Sequence, residues 1–199
     1  MKSRLDRRTF LKDAGALTAS AALIASGAPG IAAAEAPNGE QISAVLFDSR
    51  YSSCRAFAGA LIRKGAMAFD ARADVAALWY GPLRDRLAKY GGGVAGLVTD
   101  SDSMVSEAFG KELRLSLRYE GSHDSRASAV IIHKLRGLQR AAEIESALRS
   151  AGSNWGRELG CVLARTHPPQ AAKHWESAVV RASQAGDHPG FLRSWLLAT

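Results

Sequence analysis

Cysteine is scarce in this sequence: Cys54 and Cys161 are the only two in 199 residues. Two thiols fall short of the four that a typical iron–sulfur cluster takes. No Cys-x-x-Cys-His occurs, which excludes covalently attached haem. Histidine is sparse as well (His123, His133, His167, His174 and His188), and no pair has a metal-site spacing such as His-Glu-x-x-His. No metal site and no bound cofactor are therefore expected. The chain has no Gly-x-Ser-x-Gly elbow, no internal repeat and no low-complexity tract beyond its first segment. It also lacks a strongly apolar run of the ~20 residues that a membrane helix needs. The longest uncharged stretch, residues 14–28, is rich in Ala, Gly and Ser and is followed by Pro29. No stable membrane span is expected.

What is present is ordinary for a globular chain: 47% apolar and 23% charged residues. The formal charge of +7 is unevenly placed. Residues 1–34 hold five basic and two acidic groups, a net +3, which leaves +4 for residues 35–199. In that remainder the basic residues alternate with acids, as in Arg84-Asp85-Arg86 and Arg140 with Glu143 and Glu145. Solvated helix faces have this pattern, so no nucleic-acid partner is expected.

The N-terminal segment has three parts: basic residues 2–12, small uncharged residues 14–28, and Pro29-Gly30 leading to Ala32-Ala33-Ala34. That is the layout of a secretory signal peptide, with Ala32 and Ala34 as the small residues a peptidase buries. Cleavage is expected after Ala34, with Ala36 as the second choice. The basic part reads Asp6-Arg7-Arg8-Thr9-Phe10-Leu11-Lys12. It resembles the twin-arginine export signal, Ser/Thr-Arg-Arg-x-Phe-Leu-Lys, with Asp6 in place of the hydroxyl residue. The resemblance covers about 36 residues and rests on Arg7, Arg8, Phe10, Leu11 and Lys12. It implies engagement by the Tat translocase, export of a folded bacterial protein, and a periplasmic location. Proteins carried out with a redox partner commonly use this route.

Residues 35–41 read as a linker and residues 42–199 as a single α/β domain. Ile42–Phe47 is a short apolar run that suits a buried strand. Ser52 or Ser53 is placed to cap a helix whose Cys54, Phe57, Ala58, Leu61 and Ile62 form one stripe. Gly65 ends it. Ala66–Phe69 is a second strand, and Asp74 caps a helix that Gly81-Pro82 breaks and restarts. Val94–Val98 is a third strand, and Ser101 or Ser103 caps a helix through Phe109. Leu113, Leu115, Leu117 and Tyr119 alternate with polar residues as a half-wet strand. Glu120–Ala127 reads as a loop and Ser128–Ile132 as a strand. Helices are expected over Leu138–Leu148, around Trp155–Leu163 and from Pro168-Pro169 through Val179, then over Phe191–Leu197 a last strand, with a terminal helix as the alternative. The alternation predicts an open, mainly parallel sheet of about four to six strands with flanking helices. The layering is Rossmann-like or flavodoxin-like, with a helical C-terminal part.

In such sheets ligands bind beyond the carboxyl ends of the strands. Asp48, Arg50, Tyr51, Thr99, Asp100 and His123 are the candidate ligand-binding residues there. Asp70, Asp74 and Ser101 need no role beyond capping. Asp48 after an apolar strand resembles the nucleophile of haloacid-dehalogenase-like phosphatases, but Arg50 stands where that family needs a second Asp, and the match is rejected. Gly91–Gly93 precedes a strand, so it is a turn and not a phosphate loop. Cys54 and Cys161 permit one disulfide in an oxidising compartment; Cys54 in an apolar stripe equally suits a buried thiol. Trp79, Trp155, Trp175 and Trp195 are expected in the core.

Two functions follow as expectations. The first is a non-catalytic periplasmic protein that binds a small molecule or serves as an accessory subunit of a co-exported redox enzyme. The second is a small periplasmic enzyme at the strand ends, with His123 as acid/base and Asp100 or Asp48 orienting it.

Overall fold

The computed structural model describes residues 41–125, 130–138, 141–165, 175–183 and 190–199. The expected export signal, its expected cleavage site and most of the expected linker lie outside the described residues, as do His167, His174 and His188. The elements run β1 (Ile42–Phe47), α1 (Ser52–Ile62), β2 (Met67–Asp70), α2 (Val75–Tyr80), α3 (Pro82–Tyr90), β3 (Gly93–Val98), α4 (Asp100–Glu112), β4 (Ser116–Asp124), β5 (Val130–Leu138), α5 (Ala141–Ala151), α6 (Trp155–Arg165), β6 (Trp175–Ser183) and β7 (Phe191–Ala198). A single turn of 3₁₀ helix, Gly152–Asn154, joins α5 to α6.

All seven strands form one sheet in the order β2-β1-β3-β7-β4-β5-β6. The residues after 120 therefore complete the same sheet. β2, β1 and β3 are parallel, as the strand–helix alternation predicts. The other four pairings are antiparallel, so the sheet is mixed and larger than the expected four to six strands. The departure has two sources, the antiparallel run β4-β5-β6 and the placement of β7. β7 slots between β3 and β4, antiparallel to both, and β4 keeps the direction of β1, β2 and β3 without touching them.

Burial explains which segments became strands. β3 lies between β1 and β7 and all six of its residues are buried, which suits an apolar run covered on both faces. Ile42, Ala44, Val45 and Leu46 of β1 are likewise buried. α1 buries Cys54, Phe57, Ala58 and Leu61, while Ile62 at its end stays about half exposed. Asp74 caps α2 through its carboxylate to the amides of Ala76 and Ala77, at 2.9 and 3.2 Å.

Two cores lie on opposite faces. One joins α1, α5 and α6 to Val45, Leu97, Tyr119, Ile131 and Leu192. The other joins α2 and α3 to Leu46, Val94, Val98 and Trp195. Trp79, Trp155 and Trp195 are all core residues; the side chain of Trp175 lies outside the description. Glycine sets two close approaches. A Cβ at Gly96 would meet the Trp195 ring at 2.2 Å, and one at Gly156 would meet the Ser53 carbonyl at 2.1 Å. The first lets β7 lay its indole flat on β3, and the second lets α6 rest on α1.

Three expectations need correction. The chain after Asn154 is not simply helical: α6 is followed by two strands, and of the helix expected from Pro168 through Val179 the part up to residue 174 lies outside the described residues while Trp175–Val179 belongs to β6, whose Ala178, Val180 and Ala182 follow a period of two. The fourth strand begins later than expected, because Leu113 and Arg114 are spent on ending α4, with Arg114 at φ 60°. And residues 120–124 are strand, not loop. Their inward positions are Gly121 and His123, so the alternation continues past Tyr119 without an apolar side chain to announce it.

Candidate functional site

The carboxyl ends of β1, β2 and β3 form a rim, and its polar groups hold one another. Asp48 is 1% exposed. Its carboxylate receives Arg50 Nε at 3.0 Å, Arg50 Nη2 at 2.5 Å and the Arg50 amide at 3.0 Å. Arg50 is a two-pronged partner of the kind a carboxylate fits best. The hydrogen bond and charge of Asp48 push its guanidinium pKa up, so it stays cationic. The same guanidinium lies 5.4 Å over the ring of Tyr51. Tyr51, not Ser52 or Ser53, is the residue that precedes α1, and it makes no side-chain cap.

From β2, Asp70 accepts Ser49 Oγ at 2.6 Å, the Ser49 amide at 3.2 Å and the Arg72 amide at 3.1 Å. Burial works to raise its pKa; the hydrogen bonds from Ser49 and Arg72 outweigh that and leave it lowered. From β3, Thr99 precedes α4, and its hydroxyl donates to Asp102 at 2.7 Å and lies 3.1 Å from Ser101 Oγ. Asp100 pairs with Arg193 Nε at 3.1 Å. Arg193 belongs to β7, and nothing local in the sequence brings it to this rim.

The structure thus gathers Asp48, Arg50, Tyr51, Thr99 and Asp100 at one end of the sheet, and places His123 elsewhere. His123 is inside β4, fully buried, on the face toward α1, α5 and α6. Its register partner in β7 is Leu192, a residue of that core, whereas the neighbouring Arg193 reaches Asp100 from the opposite face. The sheet itself separates His123 from Asp100, so the acid/base couple expected between them is not assembled.

His123 instead belongs to a buried polar chain. Its Nε2 lies 2.8 Å from Ser194 Oγ, and its Nδ1 lies 2.7 Å from His133 Nδ1. Ser194 Oγ is also 3.0 Å from the Tyr119 hydroxyl. The His123 and His133 rings pack against Trp155, with centroids 4.6 and 5.2 Å away. Burial pushes the Tyr119 phenol pKa up, which keeps it a neutral hydroxyl. One of the two facing Nδ1 atoms must carry the hydrogen and the other must accept it, so the two tautomers are coupled. Gly121 makes room: a Cβ there would sit 2.5 Å from the Tyr119 hydroxyl and 2.6 Å from Ser194 Oγ. His133 was not a candidate from sequence. The signal that finds it is the alternation Ile131, His133, Leu135, which places it on the face of Tyr119, Gly121 and His123.

Cys54 and Cys161 are both thiols, the first buried and the second partly exposed. Among the described residues no group of three or more His, Cys, Asp or Glu side chains is gathered as a metal would need, and no helix is long and apolar enough to cross a membrane. The class these features define is an α/β protein on a mixed seven-stranded sheet, with an ion-paired polar rim and a buried His–His–Ser–Tyr chain. No protein-family model, no curated protein and no solved structure matches the chain.

Proposed function

We propose that the chain is exported by the twin-arginine route and acts in the periplasm as a non-catalytic binding protein, an accessory subunit or small-molecule binder of a redox system. One observation supports the non-catalytic reading above the enzymatic one. Ser194 and His123 form a hydroxyl–imidazole couple at hydrogen-bond distance, the kind a nucleophilic mechanism needs, but they are 1% and 0% exposed. The rim that faces solvent carries ion pairs and hydroxyls, with its cations already held by carboxylates. Such a rim recognises a polar ligand by pre-set donors and acceptors, and among the described residues no imidazole stands beside its Ser49 and Thr99 hydroxyls, which are held by carboxylates.

The test is isolation of the protein from its native periplasm. The expected result is a stoichiometric complex with a flavin- or metal-containing protein, or a tightly held small polar molecule. Recovery of a lone monomer with nothing bound overturns the reading. Export itself is checked by Arg7→Lys with Arg8→Lys, which is expected to leave the protein in the cytoplasm.

A further inference from the structure

Part of one face of the sheet is covered by no described helix. On the side of α2, α3 and α4, those helices pack over β2, β1, β3 and β7. Beyond β7 the outer positions of β4, β5 and β6 face solvent, and the register aligns them in rows. Arg193, Ser122, Lys134 and Val179 sit side by side across β7, β4, β5 and β6. The next row toward one end is Glu120, Arg136 and Ser177, and toward the other Asp124, Ile132 and Arg181. The first two rows floor a shallow depression of about 270 Å³, and Arg181 stands on the same face one row beyond it.

Two properties of this face point to the same occupant. The first is charge. Arg136 is paired with Glu120 at 3.1 Å and Arg193 with Asp100 at 3.1 Å. Lys134 and Arg181 are exposed and have no ion pair with a described residue. Two open cations therefore stand on adjacent strands, and adjacent strands lie ~4.8 Å apart. The second is apolar exposure. Val179 is 59% exposed and Val130 37%, both on this face. A free oxyanion would meet the cations and leave the valines wet. A polypeptide that alternates carboxylates with apolar side chains satisfies both. Among the described residues β6 is an edge strand, nine residues long, and it offers such a segment backbone partners as well.

We propose that the outer face of β4, β5 and β6 is a docking surface for an acidic, apolar-interleaved extended segment of a partner protein. This goes beyond the accessory reading by stating the partner's chemistry, and it depends on neither the export route nor the rim.

The probe is a twelve-residue peptide of alternating Glu and Val, with a Lys/Val peptide of the same length as its control. Binding to the full-length protein is measured by titration calorimetry. The expected result is binding of the Glu/Val peptide alone, weakened at least about tenfold by Lys134→Glu with Arg181→Glu and weakened again in high salt. Arg84→Glu, an exposed reversal on α3, is expected to leave the affinity unchanged, and melting curves check that each variant is folded. No binding of the Glu/Val peptide overturns the proposal. So does equal binding of both peptides, equal loss with Arg84→Glu, or binding of anionic phosphatidylglycerol vesicles in place of the peptide. A lone monomer from the periplasm that still binds the Glu/Val peptide at this face would remove the redox partnership and leave the docking surface standing.

Discussion

The two halves of the sheet are built on different rules. β2, β1 and β3 are parallel and reached by helical crossovers; β1 and β3 are covered on both faces, and β2 is an edge strand. β7, β4, β5 and β6 are antiparallel to their neighbours; β7 is covered on both faces, whereas β4, β5 and β6 keep one face on the core and leave the other largely wet. The parallel half buries Ile42, Phe69 and a run of Ala, Val, Leu and Gly, and its one buried strand hydroxyl, Ser43, donates to the Gly93 carbonyl at 3.3 Å. The antiparallel half buries Tyr119, His123, His133 and Ser194 beside its aliphatic residues. A strand buried on both faces has no room for polar side chains without partners. A one-faced antiparallel pair places residues directly opposite each other, and His123 and His133 use that register to satisfy each other.

The contact between the halves is the place to break this arrangement with the largest effect. Trp195 of β7 is fully buried over Gly96 of β3 and stacks near Trp79. Trp195→Ala is expected to cost about 3–5 kcal/mol, seen as a lowered urea midpoint. Gly96→Ala puts a methyl where the indole lies and is expected to cost about 1–3 kcal/mol. In the Trp195→Ala background the same glycine change should cost far less, because the ring it strikes is gone. Equal costs in both backgrounds would show that the halves do not meet through this pair.

Next in size is the polar chain that distinguishes the antiparallel half. His133→Leu removes one Nδ1 and strands the other, an expected loss of about 1–3 kcal/mol. His123→Leu alone disconnects both His133 and Ser194. The double variant His123→Leu/His133→Leu should lose less than the sum, since no polar nitrogen remains unpartnered between the strands. Strict additivity in urea unfolding would mean the two imidazoles act independently.

Legibility follows the same division. β1, the α1 stripe, the Asp74 cap and β3 were all readable, because apolar residues fell at clean periods bounded by Gly, Pro and Asp. β4 was cut short because Gly121 and His123 occupy inward positions without looking apolar. β6 was misread for a related reason. Trp175, Ala178 and Val179 fit helical spacing, while Ala178, Val180 and Ala182 fit a strand, and alanine discriminates poorly between them. The paired β-branched Val179-Val180 was the better guide. The rim was legible from β1 and β3 alone: Asp48, Arg50, Tyr51, Thr99 and Asp100 follow from the strand ends. Arg193 is not, since it depends on β7 finding a partner far away in sequence, and the His–His contact is not, since it depends on the register of the adjacent strands β4 and β5.

The smallest expected effect lies back on the parallel half, at Asp70. Its carboxylate holds the turn after β1 through Ser49 and the turn after β2 through Arg72. Its pKa is lower in the folded protein than the ordinary carboxylate value. The ionised form is therefore favoured by folding, and its contribution is complete above the unfolded pKa, near pH 4. It fades as the pH falls through the folded value. Because the group is only partly buried, the contribution is well under ~1 kcal/mol. Asp70→Asn should be slightly less stable than the parent protein at pH 7, and the gap should close toward pH 3, as compared by urea midpoints at both pH values. A gap that stays constant would assign the loss to the altered hydrogen-bond geometry of the amide and not to the charge. In that case the parallel half would be held at its rim by shape and neutral hydrogen bonds, as the antiparallel half is held inside by its imidazole chain.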